Sequence, residues 1–134
     1  LALDLGKRRI GMAISEGTTA LGLPTLVTRN KRADLAELQH VIHERSVELL
    51  LIGYPLNMNG EPGAQAEWVR QYATVLERET KRAVKFWDER LTSAEASRLL
   101  RDSDARPDRK SGTVDRMAAV LLLQSYLDSL RYTQ

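Results

Sequence analysis

Three acidic positions stand apart because they lie at the ends of apolar stretches instead of on a solvated face: Asp4 in LALDLG, the pair Asp88 and Glu89 in FWDER, and Asp115 in GTVDRMAAVLLL. Aspartate is a poor strand former and is costly to bury, so Asp4 inside an apolar run needs a reason. Carboxylates held together at neutral pH repel one another, and a cation must neutralise them. Hard divalent ions prefer oxygen ligands, and the chain has no cysteine and two histidines, so Mg²⁺ or Mn²⁺ is the expected ion. Two such ions can clamp a phosphodiester, one activating water and the other stabilising the leaving oxygen. Each acid also has an ordinary explanation: Asp115 suits the first turn of a helix, and Asp88 or Glu89 can pair with Arg90 or another cation.

Other chemistry has less support. His40 and His43 fall one helical turn apart, with no third ligand evident nearby, and are expected to be exposed. Ser15, Ser93 and Ser111 have no base at readable spacing, which argues against acyl-enzyme chemistry. Trp68 and Trp87 suit a core or the lining of a groove. The cations gather as Lys7, Arg8 and Arg9, as Lys81, Arg82 and Lys85, and as Arg106, Arg109, Lys110 and Arg116. That grouping permits a polyanionic partner without requiring one.

The elements that must position the acids follow from the hydrophobic pattern. Leu1 to Leu5 and Ile10 to Ser15 form strands joined by the tight connection Gly6 to Arg9, and a third strand is expected at Leu23 to Thr28, after a turn from Gly17 to Gly22. Leu35, Leu38, Val41 and Ile42 then follow the helical period, with Asp34 as the expected N-cap. VELLLIGYP is a continuous apolar run closed by Pro55, the mark of a strand buried on both faces. A helix beginning near Gly63 carries Trp68, Tyr72, Val75 and Leu76 in one stripe, and AVKFWDER is the fifth strand. Thr92 and Glu95 have capping-box spacing, which predicts a short helix over Ser93 to Arg101. Residues 102–112, with Pro107, Gly112 and dense charge, are expected to be a mobile loop. The last helix runs from Val114 to about Leu130, with Met117, Leu121 and Leu122 expected on its packed side.

This order predicts an α/β fold: three antiparallel strands extended by parallel strands into a mixed five-stranded sheet, with helices on both faces. Asp4 and the Asp88–Glu89 pair then sit at the carboxyl ends of parallel strands, the edge where open sheets place their sites. The last helix can bring Asp115 to them.

A chain of 134 residues has room for one domain, spanning 1–134. The net charge is +2 and the pI about 9.1. Absent cysteines remove disulfides and thiolate chemistry and fit a reducing compartment. No apolar stretch approaches a membrane span, and no signal peptide precedes the first strand, so a cytoplasmic protein without a membrane partner is expected. Because Leu1 is not methionine, a few upstream residues are expected to lie outside this numbering.

LALDLGKRRIG, LLIGYPLNMNG, FWDERLTSAEA and GTVDRMAAVLLLQSYL, in that order and across nearly the whole chain, resemble the YqgF family, also called RuvX. The resemblance implies an RNase H-like fold and a metal-dependent nuclease of the bacterial cytoplasm. It implies either processing of the 5′ end of pre-16S rRNA, the favoured role, or resolution of Holliday junctions. Matched motif by motif, it makes Asp4, Glu89 and Asp115 catalytic and places Asp4, Asp88, Glu89 and Asp115 among the metal ligands, with two ions expected. Glu89 is favoured over Asp88 because it matches the Glu of the family's DER motif and because adjacent strand residues point to opposite faces. The candidate substrate contacts are Lys7, Arg8, Arg9, Asn57, Asn59, Arg90, Arg109 and Lys110. Where the family commonly has Asp-x-Gly-x-Lys, Gly6 is followed by Lys7, Arg8 and Arg9 without an intervening Ser or Thr.

The partner expected is an rRNA precursor or branched DNA. A resolvase that cuts two strands symmetrically would also require a homodimer. A phosphate loop of the actin and sugar-kinase type also begins with a strand, Asp-x-Gly and a hairpin, but those enzymes close two domains around a nucleotide. A non-catalytic scaffold of the same fold can lose its acids, which this chain retains.

Overall fold

The computed structural model describes residues 1–55, 60, 62–89 and 113–131. The expected helix over Ser93 to Arg101 and the expected loop over 102–112 lie outside the described residues. The elements are β1 (Ala2–Leu5), β2 (Arg9–Glu16), β3 (Thr19–Val27), α1 (Lys31–Glu44), β4 (Leu49–Tyr54), α2 (Ala64–Thr80), β5 (Ala83–Asp88) and α3 (Thr113–Leu130). The five strands lie in the order β3-β2-β1-β4-β5. β1, β2 and β3 pair antiparallel, while β4 is parallel to both β1 and β5. This is the mixed sheet that the element order implies.

The two faces of the sheet are built from residues of different size, and that difference positions the site. One face carries Leu3, Leu5, Ile10, Met12, Leu50 and Ile52, which pack with Leu38 and Ile42 of α1 and Val69, Ala73 and Leu76 of α2. Fully burying one such leucine or isoleucine contributes about 1.5–3 kcal/mol. The opposite face carries Ala2, Ala13, Ala20 and Leu51, which meet Ala119, Leu122 and Leu123 of α3. Small residues on both sides let α3 approach the sheet closely. Gln124 anchors that helix to the hairpin, accepting from the Ala20 N–H at 3.0 Å and donating to the Thr18 carbonyl at 3.0 Å.

Several local expectations are corrected. β3 begins at Thr19, not Leu23, and the turn shrinks to Gly17 and Thr18, with Gly17 at φ 62°. Gly22 is a strand residue opposite Ala13, and a Cβ there would lie 2.5 Å from Arg116 Cγ. This glycine therefore serves packing against α3 and not a turn. The N-cap of α1 is Asn30, whose Oδ1 accepts from the Ala33 N–H at 2.9 Å, whereas Asp34 is a buried first-turn residue that accepts from the Arg29 N–H at 3.0 Å. Met117 is 53 % exposed, and the packed side of α3 is instead Asp115, Ala118, Ala119 and Leu122. Because MAAVLLL is apolar on every side, helical period alone cannot select its buried face.

Tyr72 of α2 lies half-buried against the core, and burial, reinforced by the negative charge of Asp34, pushes its phenol up to about 12. The folded state thus favours the neutral phenol. The stability this contributes is complete below pH 10 and should be lost as pH rises through about 12. Alkaline denaturation of wild type and Tyr72→Phe checks this: the variant should lack that component of the pH dependence.

Candidate active site

Asp4 is 3 % exposed, and its neighbours across both adjoining strands are glycines. On β2 it is in register with Gly11. On β4, one residue beyond the Leu3–Ile52 pair, its neighbour is Gly53. Residues side by side in a sheet share a face, so Asp4, Gly11 and Gly53 form a row directed toward α3.

The space left by the two missing side chains is filled by the other acids. A Cβ on Gly11 would lie 2.0 Å from the Asp115 carbonyl oxygen and 3.3 Å from Asp115 Cβ. A Cβ on Gly53 would lie 2.5 Å from Glu89 Oε1. Asp115 and Glu89 are 4 % and 5 % exposed, so three buried carboxylate residues gather about one row of the sheet, with Asp4 in the middle. Interior glycines in strands mark close approach, and this was the available sequence signal for Gly11 and Gly53, which the motif reading did not single out.

Strand alternation separates the acid pair. Trp87 is in register with Gly53 and packs edge-on against Tyr126 of α3, with ring centroids 5.3 Å apart. Asp88 is in register with Tyr54 and so shares the opposite face. The structure therefore brings Glu89, not Asp88, to the side occupied by Asp4 and Asp115.

The cations divide in a similar way. Lys7 leans toward the α1 and α2 layer, its Nζ 5.9 Å from the centre of the Trp68 ring. Arg8 is exposed and Arg9 is half-buried at the start of β2. Arg82 is occupied in structure, donating through Nε to the Val47 carbonyl at 2.8 Å, and Lys85 lies 5.9 Å from the Tyr126 ring centre. His40 is exposed and pairs with Glu44 at 3.0 Å, and His43 is exposed as well. Asn57, Asn59, Arg90, Arg109 and Lys110 lie outside the described residues.

The donor set is entirely oxygen and strongly anionic, which fits a hard divalent ion. Among the described residues no three His, Asp or Glu side chains form a set able to hold one ion. Mg²⁺ does not need such a cage, because it is commonly held by one or two carboxylates together with water and substrate phosphate. Asp4 together with either Glu89 or Asp115 meets that requirement. The acids could bind and orient such an ion at the carboxyl end of β1.

Comparison with known proteins decides the family. The family model RuvX, described as Holliday junction resolvase, matches residues 1–129. The chain belongs to the RuvX family. This RuvX chain is 45 % identical over 130 residues to a protein of Koribacter versatilis named "Putative pre-16S rRNA nuclease", covering 96 % of the chain and 85 % of that protein. A protein of the same name from Moorella thermoacetica is 45 % identical over 132 residues, covering 97 % of the chain and 94 % of the relative. Among solved structures, RuvC of T. thermophilus in complex with a Holliday junction substrate superposes with a TM-score of 0.60 at 15 % identity, covering 98 % of this chain and 94 % of that one. That likeness establishes a RuvC-like fold, the RNase H-like architecture implied by the motifs. Among the described residues no helix is long and apolar enough to cross a membrane.

Proposed function

We propose that this RuvX chain is a single-domain, metal-dependent phosphodiester hydrolase that processes the 5′ end of pre-16S rRNA in the cytoplasm. The observation that carries the hydrolase reading is the row Gly11, Asp4 and Gly53, whose missing side chains admit Asp115 and Glu89 to one buried patch. Bound between them, one or two Mg²⁺ or Mn²⁺ ions would supply an activated water and stabilise the leaving oxygen. Asp4 is held rigidly by β1, Glu89 lies just beyond the end of β5, and Asp115 is fixed by the docking of α3, so the carboxylates are oriented before substrate arrives.

Choice of RNA follows the relatives at 45 % identity, which bear the name of a pre-16S rRNA nuclease. The description of the matching family model favours a second reading, resolution of Holliday junctions. Phosphate contacts position a nucleic acid without identifying it, so the site itself serves either substrate. A side-by-side assay with Mn²⁺ separates them, using a pre-16S 5′ leader RNA and a four-way DNA junction. Cleavage of the leader alone is expected. Paired symmetric nicks in the junction would instead establish a resolvase working as a homodimer, and cleavage of neither would overturn the hydrolase reading.

A further inference from the structure

A cleft opens on the other layer of the sheet, at the end of β1 that carries Asp4. It has a volume of about 370 Å³, and its lining includes Lys7, Arg29, Lys31, Trp68, Gln71 and Tyr72. That size falls within the roughly 300–1,000 Å³ of small-molecule sites. Trp68 and Tyr72 contribute an aromatic wall, with ring centroids 5.6 Å apart and planes at 52°. Lys7 stands over the indole at 5.9 Å, and Arg29 and Lys31 flank the beginning of α1. Gln71 adds an amide that can both donate and accept.

Two features make this more than a surface dent. The Tyr72 hydroxyl is buried and makes no hydrogen bond among the described residues, a deficit that a polar ligand could relieve. The cleft is also joined to the acids by the shortest possible route: Gly6 and Lys7, which line it, directly follow the strand that carries Asp4. The turn itself is braced, with the Lys7 carbonyl accepting from Thr28 Oγ1 at 2.8 Å and the Arg8 carbonyl from the Thr28 N–H at 3.0 Å. A strand lying across the Gly6–Arg9 turn would therefore reach both layers.

We propose that this cleft holds one unpaired nucleotide flanking the cleaved phosphate, its base against Trp68 and its phosphate against Lys7, Arg29 and Lys31. The proposal deepens the nuclease reading and rests on it for the identity of the strand. Aromatic faces accept any unstacked base, and cations beside them hold the backbone, which is the combination used for single strands. A base stacked inside a duplex cannot present its face to the indole. Asp34, buried in the same lining, keeps its carboxylate on the Arg29 N–H.

The test is binding of an end-labelled five-nucleotide single-stranded RNA to the full chain in EDTA, read by anisotropy and by tryptophan fluorescence. Wild type should bind with quenching of its fluorescence. Trp68→Leu should weaken binding about tenfold or more, Lys7→Gln should weaken it several-fold, and a blunt RNA duplex should compete poorly. Lys7 is exposed in a turn, so its variant reports on binding even where Trp68→Leu is poorly folded. Unchanged affinity in Lys7→Gln and in a folded Trp68→Leu, or equal competition by duplex, would overturn the proposal. The parent reading fails separately. RNA bound through Trp68 with no metal-dependent cleavage would leave the cleft standing without the nuclease, whereas cleavage with unchanged KM in both variants would leave the nuclease without the cleft.

Discussion

Asp4→Asn will abolish metal-dependent cleavage while leaving the fold intact. The substitution is isosteric at a position only 3 % exposed, so packing against α3 is retained, but the central carboxylate of the acidic row loses its charge. A metal ion stabilises charge in such a reaction by several kcal/mol, and at about 1.4 kcal/mol per decade the loss should be roughly a thousandfold or greater. Asparagine keeps the shape of aspartate, so the Tm without metal should stay close to that of wild type. Cleavage rates in Mn²⁺ together with circular dichroism melts check both halves. A variant that cuts at the wild-type rate would overturn the assignment of Asp4. Glu89→Gln should resemble Asp4→Asn, whereas Asp88→Asn, on the opposite face of β5, should retain most activity; the reverse ranking would mean that the two exchange roles.

Gly11→Ala and Gly53→Ala add the same methyl group to the same row and should fail in different ways. At Gly11 the new carbon would come within 2.0 Å of the Asp115 carbonyl oxygen, which belongs to the backbone of α3 and cannot rotate aside. The helix must lift from the sheet, opening the close contact among Ala2, Ala13, Ala119 and Leu122. Overpacking of this kind costs about 2–3 kcal/mol, equivalent to a fall of roughly 10 °C in Tm for a domain of this size. At Gly53 the nearest atom is Glu89 Oε1, at 2.5 Å, the far end of a side chain that can turn away. Gly53→Ala should therefore melt close to wild type yet lose about a hundredfold in metal-dependent rate, since misplacement by about 1 Å is enough for that. Equal losses of stability in the two variants would contradict this account.

Much of this architecture was legible because it rests on local pattern. VELLLIGYP had to be a strand buried on both faces, since no polar residue interrupts Leu49 to Ile52 to mark a solvent side, and the alternation of strands and helices after it implies parallel pairing with β1. Asp4 was conspicuous for the opposite reason, as a charge where local pattern requires an apolar residue. The boundaries of β3, the cap of α1 and the buried side of α3 were misplaced because each depends on a distant partner. Gly22 resembles a turn residue until Arg116 is seen above it, and Met117 is as apolar as Ala118 until the small face of the sheet selects the smaller side chain.

Read without its fold, the chain already names the candidate acids and the order of the elements that hold them, since composition, period and motif are properties of neighbours along the chain. Tertiary structure decided which acids share a face, why Gly11 and Gly53 had to be glycines, and that Lys7 turns toward Trp68 instead of toward Asp4. Those outcomes depend on strand register and on how closely α3 docks, which are set by contacts between residues as far apart as Gly11 and Asp115.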